Sequence, residues 1–225
     1  VDAAEVLQRV EKTFRAHADP GRAEPMAAYM KGRFPFLGIA TPQRRALTRQ
    51  VLAGLSRPTE ADLRTVAEGC WSLPEREFQY FACDVLIRYA AIPSAGFVGT
   101  LRELLTTKPW WDTVDPLATR VVGELVRREP ALTTVMDEWA AGTDPWLIRT
   151  ALLHQLTYKE STDRERLFRY CRMRADHPDF FVRKAIGWAL RQYAGVAPDA
   201  VRAFVAANED ALSPLSRREA LKNLV

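Results

Sequence analysis

The sequence is poor in the residues that usually announce a chemistry. Its 225 residues hold three cysteines, Cys70, Cys83 and Cys171, and three histidines, His17, His154 and His177. The cysteines are odd in number, widely spaced and each inside an apolar-periodic segment, which argues against a disulfide framework and fits a reducing cytoplasm. The histidines never fall at the spacing of a zinc site, so no metal and no cofactor is expected. No glycine-rich phosphate loop occurs. No apolar run approaches the roughly 20 residues needed to span a bilayer, so no membrane partner is expected. The start, Val1-Asp2-Ala3-Ala4-Glu5, has neither the basic nor the apolar region of a signal peptide. It also lacks Met, so residues are expected to be missing ahead of it. Fourteen prolines and eleven glycines are too few to argue disorder.

Sustained apolar–polar alternation, the mark of a strand, is missing as well. Apolar residues recur instead at three and four spacing, as in Val6-Leu7-Val10-Phe14, Phe78-Phe81-Val85-Leu86-Tyr89 and Leu117-Val121-Leu125. Breaks come regularly, and many pair a capping residue with Pro: Asp19-Pro20, Thr41-Pro42, Asp144-Pro145, His177-Pro178, Ala197-Pro198, Ser213-Pro214. Proline suits the first helical turn, so these pairs read as helix starts. About a dozen helices with short links follow. The stretch Ile148-Arg149-Thr150-Ala151 has a counterpart in Val182-Arg183-Lys184-Ala185, 34 residues on. Weaker echoes are Arg44-Arg45-Ala46-Leu47 and Arg217-Arg218-Glu219-Ala220-Leu221. This predicts an all-α superhelical solenoid of HEAT-like helical pairs with a concave basic face, one domain over 1–225. An irregular helical bundle is the plainer alternative.

The formal net charge of +4 conceals a pattern. From Pro25 to Thr59 there are Lys31, Arg33, Arg44, Arg45, Arg49 and Arg57 and no acid. Eight basic residues face three acids between Arg164 and Arg191, whereas nine acids outweigh five basic residues between Glu60 and Thr119. Two basic blocks flanking an acidic middle suit a polyanion gripped from two sides, and solvated helix faces account for them equally.

Two segments stand out chemically. In Lys108-Pro109-Trp110-Trp111-Asp112-Thr113-Val114-Asp115-Pro116, adjacent tryptophans point different ways on a helix, so one core does not easily take both. Asp115-Pro116 also has the form of an N-cap followed by Pro at the first helical position, and Asp112 could cap an earlier start. In Arg183-Lys184-Ala185-Ile186-Gly187-Trp188-Ala189-Leu190-Arg191, helical spacing puts Lys184, Trp188 and Arg191 on one face. That face lines a groove, or buries Trp188 beneath snorkelling Lys and Arg stems. His154, in Leu152-Leu153-His154-Gln155-Leu156, reads as a packed or groove-edge histidine, and it lies close enough along the helix to Arg149 to tune a pH dependence.

These residues carry a resemblance. The strings Met30-Lys31-Gly32-Arg33-Phe34-Pro35-Phe36-Leu37-Gly38-Ile39, Trp110-Trp111-Asp112-Thr113-Val114-Asp115, Arg149-Thr150-Ala151, Lys184-Ala185-Ile186-Gly187-Trp188 and Pro214-Leu215-Ser216-Arg217-Arg218-Glu219-Ala220 occur in this order. Together they resemble the AlkD family of bacterial alkylpurine DNA glycosylases across nearly the whole chain. The resemblance implies hydrolysis of the N-glycosidic bond of cationic N3- and N7-alkylated purines, such as 3-methyladenine and 7-methylguanine. The substrate is double-stranded DNA, the repair route is base excision, and the lesion stays stacked in the duplex. It implies Asp115 as the catalytic carboxylate, with Trp111 and Trp188 against the deoxyribose. Arg149 then contacts DNA beside the site, and Tyr29 lies at the groove near the damaged pair.

From the charge pattern, Lys31, Arg44, Arg45, Arg183, Lys184 and Arg191 are expected to bind DNA as well. A cytoplasmic, nucleoid-associated monomer without lyase activity is expected. The departures are small: Thr150 stands where a small apolar residue is expected. A non-catalytic HEAT-like module binding DNA structures or a protein partner is the rival expectation.

Overall fold

A computed structural model describes residues 2–224, and among them every regular element is helical. No helix of the described residues is long and apolar enough to cross a membrane. Packing divides the chain into two compact units, one up to Thr100 and one from Leu101, the division falling inside α6 (Val98–Thr106).

In the first unit, α1 (Ala3–Ala16) packs on α3 (Thr41–Leu52) and α4 (Glu60–Ser72), and both α3 and α4 pack on α5 (Arg76–Arg88). Val6, Val10 and Phe14 form the buried stripe of α1, as their spacing predicts. Phe14 stacks on Phe78 at 5.8 Å and meets Phe81 edge-on at the same distance. The segment after α2 (Pro20–Tyr29) is held from below by the fully buried Glu77. Its carboxylate accepts from the backbone N–H of Leu37 at 2.9 Å, Gly38 at 2.8 Å and Ile39 at 3.2 Å. Gly38 has φ 96°, and a Cβ there would stand 2.0 Å from the Asp19 carbonyl oxygen, so no other residue fits.

In the second unit, residues 111–128 form one helical run that includes α7 (Trp111–Pro116), a π-helical segment (Leu117–Val122) and α8 (Gly123–Arg128). After it come α9 (Thr133–Ala141), α10 (Pro145–Leu153), α11 (Arg164–Met173), α12 (Phe180–Ala194), α13 (Pro198–Ala207) and α14 (Pro214–Leu221). Helix α10 packs on α7 and α12, and α12 packs on α14, making one row. Helices α9, α11 and α13 each pack against members of that row and cover it. This is the two-layer arrangement of HEAT-like repeats that the 34-residue offset predicts.

The repeat is built from equivalent caps. Asp144 accepts from the N–H of Trp146 and Leu147 at 2.8 and 3.1 Å. Asp179 accepts from Phe181 and Val182 at the same two distances. Ser213 caps α14 through the Ser216 N–H at 3.0 Å. The cap of α12 is therefore Asp179 rather than His177, whose ring nitrogen instead accepts from the Asp179 N–H at 3.1 Å.

His154 is a core residue. It is 1% exposed, its Nδ1 donates to the Ala151 carbonyl at 2.6 Å, and its ring meets Tyr158 edge-on. Burial pushes its pKa down to about 4, so it is neutral near pH 7 and does not tune a site there. An unfolded histidine protonates near pH ~6.5. The unfolded chain therefore binds the extra proton as pH falls from about 6.5 to 4, and stability drops across that window by roughly 3 kcal/mol from this residue. Thermal melts from pH 7 to 4.5 should show a shallower acid loss in His154→Gln than in wild type. Parallel profiles would contradict the neutral, buried assignment.

Candidate active site on the second unit

Helix α7 starts at Trp111, preceded by Trp110 in extended backbone with φ −160° and ψ 164°. Asp115 is therefore in the interior of a helical run, one turn beyond Trp111, and the capping reading of Asp115-Pro116 is overturned. Asp112, in the first turn, does not cap it either: the N-cap is Trp110. Pro116 has a helical φ of −64° but no N–H to offer the carbonyl four residues back. The chain passes directly into the π-helical segment, an irregularity that proteins concentrate at functional sites. The hydroxyl of Thr119 donates to the Asp115 carbonyl at 2.8 Å and steadies this turn.

The side chain of Asp115 is held by α10. Arg149 Nε donates to Oδ1 at 2.8 Å and Nη2 to Oδ2 at 2.9 Å, a bidentate pair. The third nitrogen, Nη1, donates to the Phe181 carbonyl at 2.6 Å. Side-chain exposure is only 6% for Arg149 and 15% for Asp115. Burial pushes the Asp115 carboxyl above its ordinary pKa, and the Arg149 guanidinium pulls it back part of the way.

Helix α12 completes the cluster. The Arg149 guanidinium carbon lies 5.8 Å from the ring centroids of both Trp188 and Phe181. Phe181 is fixed in turn by Trp110 at 4.8 Å and Trp146 at 4.9 Å. That aromatic cluster joins the starts of α7, α10 and α12 and seats the carbonyl that orients Arg149. Asp115, Arg149 and Trp188 are thus brought together from three helices, and Trp111 lies at i−4 from Asp115, on the same helix face.

The other residues expected to bind DNA are in mixed surroundings. In the first unit Tyr29 is 70% exposed and Arg45 is exposed. Lys31 is exposed at the tight turn after α2, with φ 59°. Arg44 is different: it is buried, paired with Asp84 and placed 5.1 Å from the Tyr80 ring centroid. Its charge is committed inside the protein, contrary to its reading as a groove residue. In the second unit Arg183 is half-buried, with Nε donating to the His177 carbonyl at 2.8 Å. Lys184 and Arg191 flank Trp188 as spacing predicts, yet both reach Glu219 of α14, at 3.3 and 2.9 Å. Glu219 and Asp84 were missed by sequence reasoning. Only Glu219 had a signal, its place in the closing string with Arg218 and Ala220.

Because Arg149 is almost wholly buried, Asp115→Ala leaves an uncompensated charge. We expect a stability loss of about 3–5 kcal/mol in chemical denaturation. Asp115→Leu combined with Arg149→Met should recover most of it, and equal losses in single and double variants would show that the pair is not the source.

Residues 10–224 match a family described as DNA alkylation repair enzyme. A solved structure, that of a predicted DNA alkylation repair enzyme from Enterococcus faecalis, is 33% identical with a TM-score of 0.85, covering 92% of this chain and 97% of that one. No curated protein matches. With the family match spanning nearly its whole length, the chain belongs to the DNA alkylation repair enzyme family.

Proposed function

We propose that this DNA repair protein is a monofunctional DNA glycosylase that releases cationic N3- and N7-alkylated purines from duplex DNA. The observation that carries the reading is the Asp115–Arg149 pair beside the Trp188 indole. A purine alkylated at N3 or N7 is already positively charged and leaves as a neutral base, so no general acid is required. As the bond breaks, positive charge moves to the deoxyribose, which becomes oxocarbenium-like. A fixed carboxylate is what that charge calls for.

Arg149 takes one lone pair on each Asp115 oxygen. The others stay available to a water hydrogen, so Asp115 both faces the sugar and orients the attacking water. Arg149 offsets part of the carboxylate's charge but holds its direction without reorganisation. The indole faces of Trp111 and Trp188 add cation–π stabilisation that grows with the charge on the sugar. No lysine or cysteine nucleophile takes part in this scheme, and water is the only acceptor of the glycosyl group. The exposed Tyr29, Lys31 and Arg45 serve as contacts to the duplex from the first unit.

Duplex DNA bearing one 7-methylguanine is incubated with excess wild type or Asp115→Asn, and free base is measured alongside DNA affinity and melting temperature. Wild type should release 7-methylguanine. A folded Asp115→Asn should bind DNA comparably and release base slower by on the order of 100-fold. Absence of release by wild type, with DNA still bound, would favour the non-catalytic module. Equal rates would remove Asp115 from the chemistry.

A further inference from the structure

Lys184 and Arg191 would be unremarkable surface cations but for what lies beside them. Along α12 they stand at i−4 and i+3 from Trp188, and Gly187 occupies the same side of the helix. At Gly187 α14 packs close against α12: a Cβ there would be 2.5 Å from the Glu219 Cβ and 3.1 Å from the Ser216 carbonyl oxygen. A second tie, from the Ser216 hydroxyl to the Arg183 carbonyl at 2.9 Å, fixes α14 at the same level. The absent side chain at 187 thus makes the slot into which Glu219 fits. One carboxylate oxygen takes Lys184 and the other takes Arg191.

The three side chains differ in exposure in an informative order. Lys184 is 38% exposed, Arg191 24% and Glu219 15%. The carboxylate therefore lies beneath, with the cations reaching outward over it. By helical geometry Trp188 lies on the far side of the two cations from Gly187 and Glu219. Arg191 uses Nη1 on Glu219. A guanidinium has five N–H donors and an ammonium three, so both keep donors that can point away from the carboxylate. Burial alone would raise the Glu219 carboxyl, and the flanking cations, led by Lys184, outweigh it and hold Glu219 below its usual range.

We propose that Glu219 is a positioning residue that holds Lys184 and Arg191 as a fixed two-cation seat for backbone phosphates beside Trp188. Free lysine and arginine side chains lose rotamer entropy when a partner immobilises them. Glu219 imposes that order before DNA arrives. The seat rests on α12 presenting this face to DNA, as in the function proposed above, but its test does not depend on base release.

The test is the salt dependence of binding to an undamaged duplex, read by fluorescence anisotropy. Glu219→Ala keeps the Cβ that seats against Gly187 while freeing both cations. It should bind more weakly at moderate salt, with the slope of log affinity against log salt reduced by about one to two, the loss of two phosphate contacts. Glu219→Gln keeps the reach but only one acceptor oxygen, so it can hold one of the two cations and should give a slope between those of Glu219→Ala and wild type. An unchanged or steeper slope in Glu219→Ala, with equal or tighter binding, would overturn the proposal and make Glu219 a competitor of DNA. Should Glu219→Ala fail to fold, Glu219→Asp decides. It keeps the charge but shortens the reach, so a lowered slope supports positioning and an unchanged slope overturns it. Wild type that binds DNA without releasing base would sink the glycosylase reading alone.

Discussion

The bidentate pair between Asp115 and Arg149 is the interaction on which the second unit's site depends. A carboxylate this buried needs a cation, and a guanidinium this buried needs every nitrogen occupied. Both needs are met by drawing three helices together: α7 supplies the carboxylate, α10 the guanidinium and α12 the Phe181 carbonyl that takes the remaining nitrogen. Trp188 reaches the same guanidinium from the same helix as Phe181, so the indole is placed by the packing that satisfies the charges. The site is assembled by electrostatic necessity and then filled in with aromatic surface.

That assembly also explains why the site is built on repeats. Helices α10, α12 and α14 begin at equivalent side-chain caps, and the aromatic residues Trp110, Trp146 and Phe181 recur at the starts of α7, α10 and α12. Stacking them aligns the helix starts, which brings residues one repeat apart within reach of each other. Asp115 and Arg149 are separated by 34 residues, the repeat offset itself. The same logic runs one step further, where Ser216 and Glu219 of α14 grip Arg183, Lys184 and Arg191 of α12. Each level holds the one before it.

Much of this was legible in the sequence, though unevenly. Helices, their proline-marked starts and the repeat offset follow from local patterning, which is why α2, α10 and α14 begin at the expected caps. The role of Asp115 was not decidable locally. Asp followed by Pro has the same form at a helix start and in an interior that tolerates a π turn, and what distinguishes them here is that the helix already begins at Trp111. Arg44 shows the opposite failure. A basic residue among other basic residues looks solvent-facing until Asp84, 40 residues on, folds against it. Charge counts along a chain record composition, whereas exposure is settled by partners far away in sequence. His154 did carry a local sign of burial, its apolar neighbours Leu152, Leu153 and Leu156, and the structure bears out the packed reading.

If a fixed carboxylate at Asp115 drives departure of an already cationic base, its protonation should govern the rate. The measurement is the pH dependence of single-turnover 7-methylguanine release from duplex DNA, with the enzyme kept saturating. The expected profile falls on the acid side with a midpoint above the ordinary aspartate value of ~3.9, because burial raises this carboxyl. A rate that stays flat through that range, or climbs with acidity as though a proton donor were needed, would contradict it.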